Sequence, residues 1–283
     1  MNGPARFEKE SLQTSHGRLA YRRVGVRRPE RILLVHGIPT SSYLWRHVMP
    51  ALARRFDTVA LDLLGFGDSD KPAGESYRLA AHAERVREFL DELHWPDCAV
   101  VGHDVGGGVA AMLAGRHADI VTRLVLVDTI CYDNFPIPSI ERLKDPHYER
   151  PLLEKGLEPS FRRAFDKGIA NGRLSDEDLA EYVRPFRDPE GRAAYLRALR
   201  DLDTLDWMRE RSRIENFPRP TLVLWGEKDA YLPPSDGERL AAAMPDAQFE
   251  SLPGCGHFVP EDQPDALTRA LLGFTAAAPS PRG

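Results

Sequence analysis

Residues 100–108 read VVGHDVGGG. A buried-looking run ends here, glycines open a segment free of bulk, and a single carboxylate, Asp104, stands at the corner between them. In a sharp strand-to-helix turn of the G-x-S-x-G kind, the central position carries a serine nucleophile. Gly102, Gly106 and Gly107 would let such a turn pass close to its neighbours, because a residue without a Cβ fits where others clash. Taken alone, Asp104 also has an ordinary reading as a cap or turn residue between a strand and a helix. The rest of the chain has to decide between the two.

Outward from this turn, short Leu-rich or β-branched runs alternate with helical patterns: RILLVHG (31–37), FDTVALDLLG (56–65), DCAVVGHD (97–104), VTRLVLVDT (121–129), PTLVLWG (220–226) and AQFESLPG (247–254). Such alternation requires crossover connections, so it predicts an α/β fold with a mostly parallel twisted sheet flanked by helices. GRLAYRRVG (17–25) reads as an added edge strand. From Tyr77 onward, Leu79, Ala83, Val86, Leu90 and Leu93 recur at helical spacing and make one buried stripe. Between Thr129 and Pro220 the alternation stops and helices with charged faces take over, Ser175 and Asp178 having capping-box spacing. The expected organisation is a core of residues 1–129 and 216–276, an inserted helical lid of residues 130–215 over the carboxyl edge of the sheet, and a disordered tail at 277–283.

Composition narrows the class. With 42% hydrophobic residues in 283, the chain can bury a sizeable core as one unit. A net charge of -5 and the lack of a basic stripe argue against nucleic acid. The opening MNGPARFEKES has no apolar stretch behind a basic one, and no segment approaches the roughly 18 apolar residues of a membrane span. A cytoplasmic protein acting on a small molecule, with no membrane association, is expected as a monomer or homodimer. Cys98, Cys131 and Cys255 are too few and too scattered for a disulfide framework or a metal site. Neither metal nor organic cofactor is expected.

In an open parallel sheet, ligands bind beyond the carboxyl ends of the strands, so residues just past each strand are the ones able to meet. Three turns matter: Asp104 after Val101, Asp229 in GEKDAYLP after Trp225, and His257 in GCGHFVPED after the last run. Nucleophile, acid, histidine is the chain order of the α/β-hydrolase triad. The sequence resembles an α/β-hydrolase, and specifically the branch with an aspartate nucleophile that includes haloalkane dehalogenases and epoxide hydrolases. HGIPTSSYLWR (36–46) and DLLGFGDSDKP (62–72) are similar to the dehalogenase versions of those segments. The resemblance covers the sheet and its loops on both sides of the lid and is weak inside the lid.

Chemistry gives a reason for the carboxylate. Serine attacking a saturated carbon would form an ether that water cannot cleave, whereas a carboxylate forms an ester whose carbonyl water can attack. Asp104 thus points to displacement at an sp³ carbon followed by hydrolysis of a covalent ester. His257 would activate the water and Asp229 would orient its imidazole; Asp128, after VLV, is the alternative acid, since some dehalogenases place theirs at that strand. The backbone N–H groups of Ile38 and Val105 would form the oxyanion hole. His36 and His103 read as structural, joining loops.

The leaving group is read by elimination within the resemblance. Dehalogenases of this branch hold halide with side-chain N–H donors, typically Trp after the nucleophile and Asn or Trp elsewhere; here Val105 and Ile38 occupy those positions. A fluoroacetate dehalogenase would want arginines beside the nucleophile, and HDVGGG has none. Epoxide hydrolases donate from two lid tyrosines, for which Tyr148 and Tyr195 are the candidates, Tyr182 being another tyrosine of the lid. Trp207 could supply an N–H from above, against a competing role in core packing. Opening of an epoxide in a small, largely apolar substrate is the reading, since no basic cluster near the three turns would hold an anion. A haloalkane dehalogenase, an ester or lactone hydrolase, and a non-catalytic binding protein are the alternatives.

Overall fold

A computed structural model describes residues 7–26 and 28–276, so the tail expected at 277–283 lies outside the described residues. Its strands are β1 (Lys9–Thr14), β2 (Gly17–Val24), β3 (Glu30–Val35), β4 (Phe56–Leu61), β5 (Cys98–His103), β6 (Val121–Val127), β7 (Thr221–Gly226) and β8 (Ala247–Leu252). They form one sheet in the order β1-β2-β4-β3-β5-β6-β7-β8. β1 and β4 flank β2 antiparallel, and the remaining neighbours pair parallel.

GRLAYRRV is therefore not the edge. KESLQT lies outside it as β1, where only Thr14 is buried, so no apolar alternation marks the strand in the sequence. The central strands behave differently: β4, β5 and β7 are buried at every position. Their side chains divide between two cores, one on each face. Leu33, Val35, Val100 and Val223 feed one, while Ile32, Leu34, Val101 and Leu222 feed the other. This is the period of two that makes a strand with both faces covered read as an unbroken apolar run.

The stripe predicted after Tyr77 forms the helix Leu79–Glu92, burying Leu79, Ala83, Val86 and Leu90. The helix Val105–Arg116 follows β5 directly and is buried from Val105 through Ala114. Small residues explain how it fits: a Cβ on Gly106 would run into the carbonyls of Val35 and His36. The helix can thus start against the end of β3.

Between β6 and β7 the chain forms helices at Pro138–Glu141, Pro146–Lys155, Glu158–Gly168, Asp176–Val183, Pro189–Asp201 and Leu205–Glu215. Proline stands in the first turn of several, where its missing N–H costs nothing. Ser175 caps its helix as the spacing predicts, its Oγ accepting from the Asp178 N–H at 3.1 Å. Leu205–Glu215 packs against Val105–Arg116, while the earlier helices cover the carboxyl ends of the strands. No helix among the described residues is long and apolar enough to cross a membrane.

Candidate active site

Asp104 sits at the N-terminus of Val105–Arg116 with φ 54° and ψ -120°. Few non-glycine residues adopt a positive φ, and holding one there costs on the order of 1–3 kcal/mol. The turn is held by backbone on several sides: the Asp104 N–H donates to the Val127 carbonyl, and the Asp104 carbonyl accepts from Gly107 and Ile130. The result aims the carboxylate out of the sheet. One oxygen, Oδ1, accepts the Ile38 N–H at 2.8 Å; the other, Oδ2, lies 3.6 Å from His257 Nε2. Gly37 makes room for this approach, since a Cβ there would fall on the Asp104 carboxylate.

His257 is fully enclosed and donates from Nδ1 to Asp229 Oδ2 at 2.9 Å. That bond leaves Nε2 facing Asp104. Asp229 is fixed in turn by the N–H groups of Tyr231 and Leu232, both donating to Oδ1. Burial raises the carboxyl of Asp229, but His257 and these donors outweigh it and hold it below the usual carboxylate range. For His257, burial disfavours the imidazolium, yet Asp229 and Asp104 more than compensate and push its pKa well above the ordinary value.

Asp128 lies beside this pair, fully buried and also at positive φ. Its Oδ1 accepts the Gly226 N–H at 2.9 Å, while Oδ2 finds no donor. Burial and the negative charge of Asp229 push this carboxyl well above the usual carboxylate range. The imidazole is paired with the acid after β7, and the acid after β6 stands beside that pair. Asp128, Asp229 and His257 offer ligand atoms within 4.8 Å of one another, and the Asp229–His257 hydrogen bond already engages two of these side chains with each other.

The two other histidines tie loops. His36 donates from Nδ1 to the Gly37 carbonyl and accepts the Leu63 N–H at Nε2, and His103 donates from Nε2 to the His257 carbonyl. Burial pushes both below the ordinary histidine value, His103 to about 4, so both stay neutral. Cys98, Cys131 and Cys255 are free, buried thiols whose burial raises them.

Above Asp104 and His257 lies a cavity of about 470 Å³, closed over by the helices that follow β6. Tyr195 and Tyr148 both line it, together with aliphatic and phenylalanine side chains. Tyr195 is buried among Phe66, Phe161 and Phe186. Burial, then the Asp104 charge, pushes its hydroxyl upward, so it stays protonated and able to donate. Tyr148 is half exposed at the rim.

Trp207 does not reach the cavity. It is wholly buried in Leu205–Glu215 against Tyr132, ring centroids 4.6 Å apart, because that helix packs beneath the site on Val105–Arg116. Tyr182 is likewise committed elsewhere, to Glu261. Sequence reasoning missed Tyr231, whose ring lies 5.2 Å from that of His257 and whose hydroxyl donates to the Ala164 carbonyl. Its place two residues after Asp229 was the available signal. It also found no basic cluster near the three turns, whereas Arg142, Arg163 and Lys167 reach the same cavity from the helices above.

A family model described as alpha/beta hydrolase fold matches residues 30–264. Haloalkane dehalogenase 2 of Mycobacterium tuberculosis is 32% identical over 94% of this chain and 94% of its own. A soluble epoxide hydrolase of Corynebacterium sp. is also 32% identical, over 87% of this chain and 90% of its own. The crystal structure of haloalkane dehalogenase DbeA from Bradyrhizobium elkani superposes with a TM-score of 0.83 at 26% identity, covering 96% of this chain and all of that one. A triad-like constellation at the carboxyl edge of a mostly parallel sheet and a family match across most of the chain lead to one conclusion: the protein belongs to the alpha/beta hydrolase fold family and is a hydrolase.

Proposed function

We propose that the protein opens an epoxide through a covalent ester on Asp104, with residues 130–215 as a lid over the core of residues 1–129 and 216–276. In the first step an Asp104 oxygen bonds to an epoxide carbon as the ring C–O bond breaks, and Tyr195 hydrogen-bonds or protonates the oxygen released, with Tyr148 as the second donor. In the second, His257 takes a proton from water and the resulting hydroxide attacks the ester carbonyl. The tetrahedral oxyanion is held by the N–H groups of Ile38 and Val105, and collapse releases a diol and restores the carboxylate. The Ile38 N–H already donates to Asp104 Oδ1 in the free protein. Val105 N–H, first in its helix, has no intrahelical acceptor by position.

Electrostatics support the order of events. While Asp104 is anionic, it and Asp229 favour the charged imidazole. Esterification neutralises Asp104, removes one of those anions and lowers the proton affinity of His257, so the base becomes available when the ester is there to be hydrolysed.

The observation that carries the epoxide reading is Tyr195: a buried, protonated hydroxyl on the same cavity as Asp104. The cavity lining contains no Trp, Asn or Gln among the described residues, the side chains that would cradle a halide. Dehalogenation is the second reading, favoured by the relatives that bear that name.

Replacing His257→Gln should stop the second step and trap the ester, and mass spectrometry of the Asp104 peptide separates the two readings by atom balance. An epoxide adds its whole mass, since the released oxygen stays attached; a haloalkane adds its mass less the hydrogen halide. No adduct with either substrate would reject covalent catalysis by Asp104.

A further inference from the structure

We propose that the substrate of this cavity carries an anionic group, a carboxylate or a phosphate, at the end remote from the reacting carbon, and that Arg142, Arg163 and Lys167 receive it. The inference takes the cavity over Asp104 to be the substrate site, as above, and adds to it a charge preference that the triad does not contain.

The charge distribution is the first argument. Among the described residues, Asp104 is the only acidic one lining the cavity, and it lies at the floor; the three cations stand with it on the lining, on the segments above. The acids nearest them in the chain are already engaged: Glu141 with Lys144, Asp166 with Arg173. Arg163 donates to the Ser160 hydroxyl, a neutral partner. Among the described residues, none of the three has a carboxylate partner. By contrast, the arginines that tie the fold together, such as Arg23, Arg46, Arg78, Arg116 and Arg184, are each paired with acid.

Lys167 gives the arrangement its depth. Its ammonium lies 4.2 Å from the centre of the Tyr231 ring, and that ring lies 5.2 Å from His257. One aromatic ring thus separates a fixed cation from the imidazole. Arg163 stands one helical turn before Lys167, so both project from the same face of Glu158–Gly168. Arg142 comes from the segment before Pro146–Lys155.

A purely neutral apolar substrate would gain nothing from three cations without acidic partners at its doorway. An amphiphilic anion gains twice: its tail fills the apolar part of the cavity, and its head is held away from the Asp104 carboxylate that would otherwise repel it. Clefts lined by one sign of charge also raise the local concentration of the opposite one.

Binding of octanoate, octyl phosphate and octanol to the wild type, measured by calorimetry, tests this without any turnover. Octanoate or octyl phosphate should bind roughly tenfold tighter than octanol at low ionic strength, as expected of a few partly exposed charge pairs, and the two anions together show which headgroup is preferred. The difference should vanish near 1 M salt, where the screening length is about 3 Å. In Arg163→Gln with Lys167→Gln, both exposed positions where folding is not at stake, and separately in Arg142→Gln, the ratio of anion to octanol affinity should fall several-fold. Equal binding of octanol and the anions, or a preference untouched by salt and by these variants, would overturn the proposal. The ester-trapping experiment reads Asp104 chemistry alone, so its failure and the failure of the anion preference are separate results.

Discussion

Asp104 owes its direction to a backbone that resists it. The positive φ turns its carboxylate toward the Ile38 N–H and His257, and the glycines around it remove every Cβ that would block the turn. The tight turn is legible in VVGHDVGGG from its glycines, whereas the reading of Asp104 as more than a cap residue needs Asp229 and His257 in their chain order. Asp229 and His257 are legible from chain order alone. The rank of Asp128 is not, since only the folded sheet reveals that it lies beside Asp229 and that the imidazole bonds to Asp229. The same electrostatics give a residue-scale prediction. Asp104→Asn removes one of the two anions facing the imidazole, so an NMR titration should find the His257 pKa lower than in the wild type. The sign for stability follows: a raised folded pKa contributes stability present below the unfolded value and lost as pH rises through the folded one, so the variant should lose part of that contribution and show a flatter stability profile above pH ~6.5. An unmoved His257 would mean that Asp229 alone sets its charge.

At the scale of elements, periodic signals proved readable and mostly polar ones did not. The central strands and the helix Leu79–Glu92 announce themselves because burial on two faces or along one stripe imposes a pattern. β1 imposes none, being an edge strand whose side chains are mostly exposed. The helices after β6 are marked by their ends instead, by prolines in first turns and by Ser175 before Asp178. Which of their side chains would face the cavity depends on how each helix is rotated and seated, which local sequence leaves undetermined; Tyr195 lands on the cavity and Trp207 beneath it for that reason. The cap can be tested on its own. Ser175→Ala removes the acceptor of the Asp178 N–H and should cost about 1 kcal/mol by urea denaturation, as such caps do. A change below a few tenths would show that solvent replaces the hydroxyl.

For the molecule as a whole, the question is what ties the covering helices to the sheet, since their charged faces would otherwise leave them free to lift. Arg46 answers it. It follows the HGIP loop after β3, is only 2% exposed, and pairs through both terminal nitrogens with Glu261, just beyond His257. From the same place it reaches Asp178 at 3.1 Å in Asp176–Val183, while Tyr182 of that helix donates to Glu261. Three segments far apart in the chain meet in one buried network that includes the approach to the candidate site. Asp178 is raised by burial but held below its usual range by Ser175 and Arg46, so its contribution is present above the unfolded pKa and lost as pH falls. Arg46→Ala strands Glu261 without its partner, and removing one member of a buried pair typically costs about 3–5 kcal/mol. Thermal denaturation should show that loss, whereas Arg46→Met combined with Glu261→Leu should recover most of it, because an apolar pair of similar volume avoids the desolvation of both charges. Recovery of stability without recovery of ester formation would mean that the network sets the position of His257 as well as holding the helices down; recovery of both would confine it to the fold.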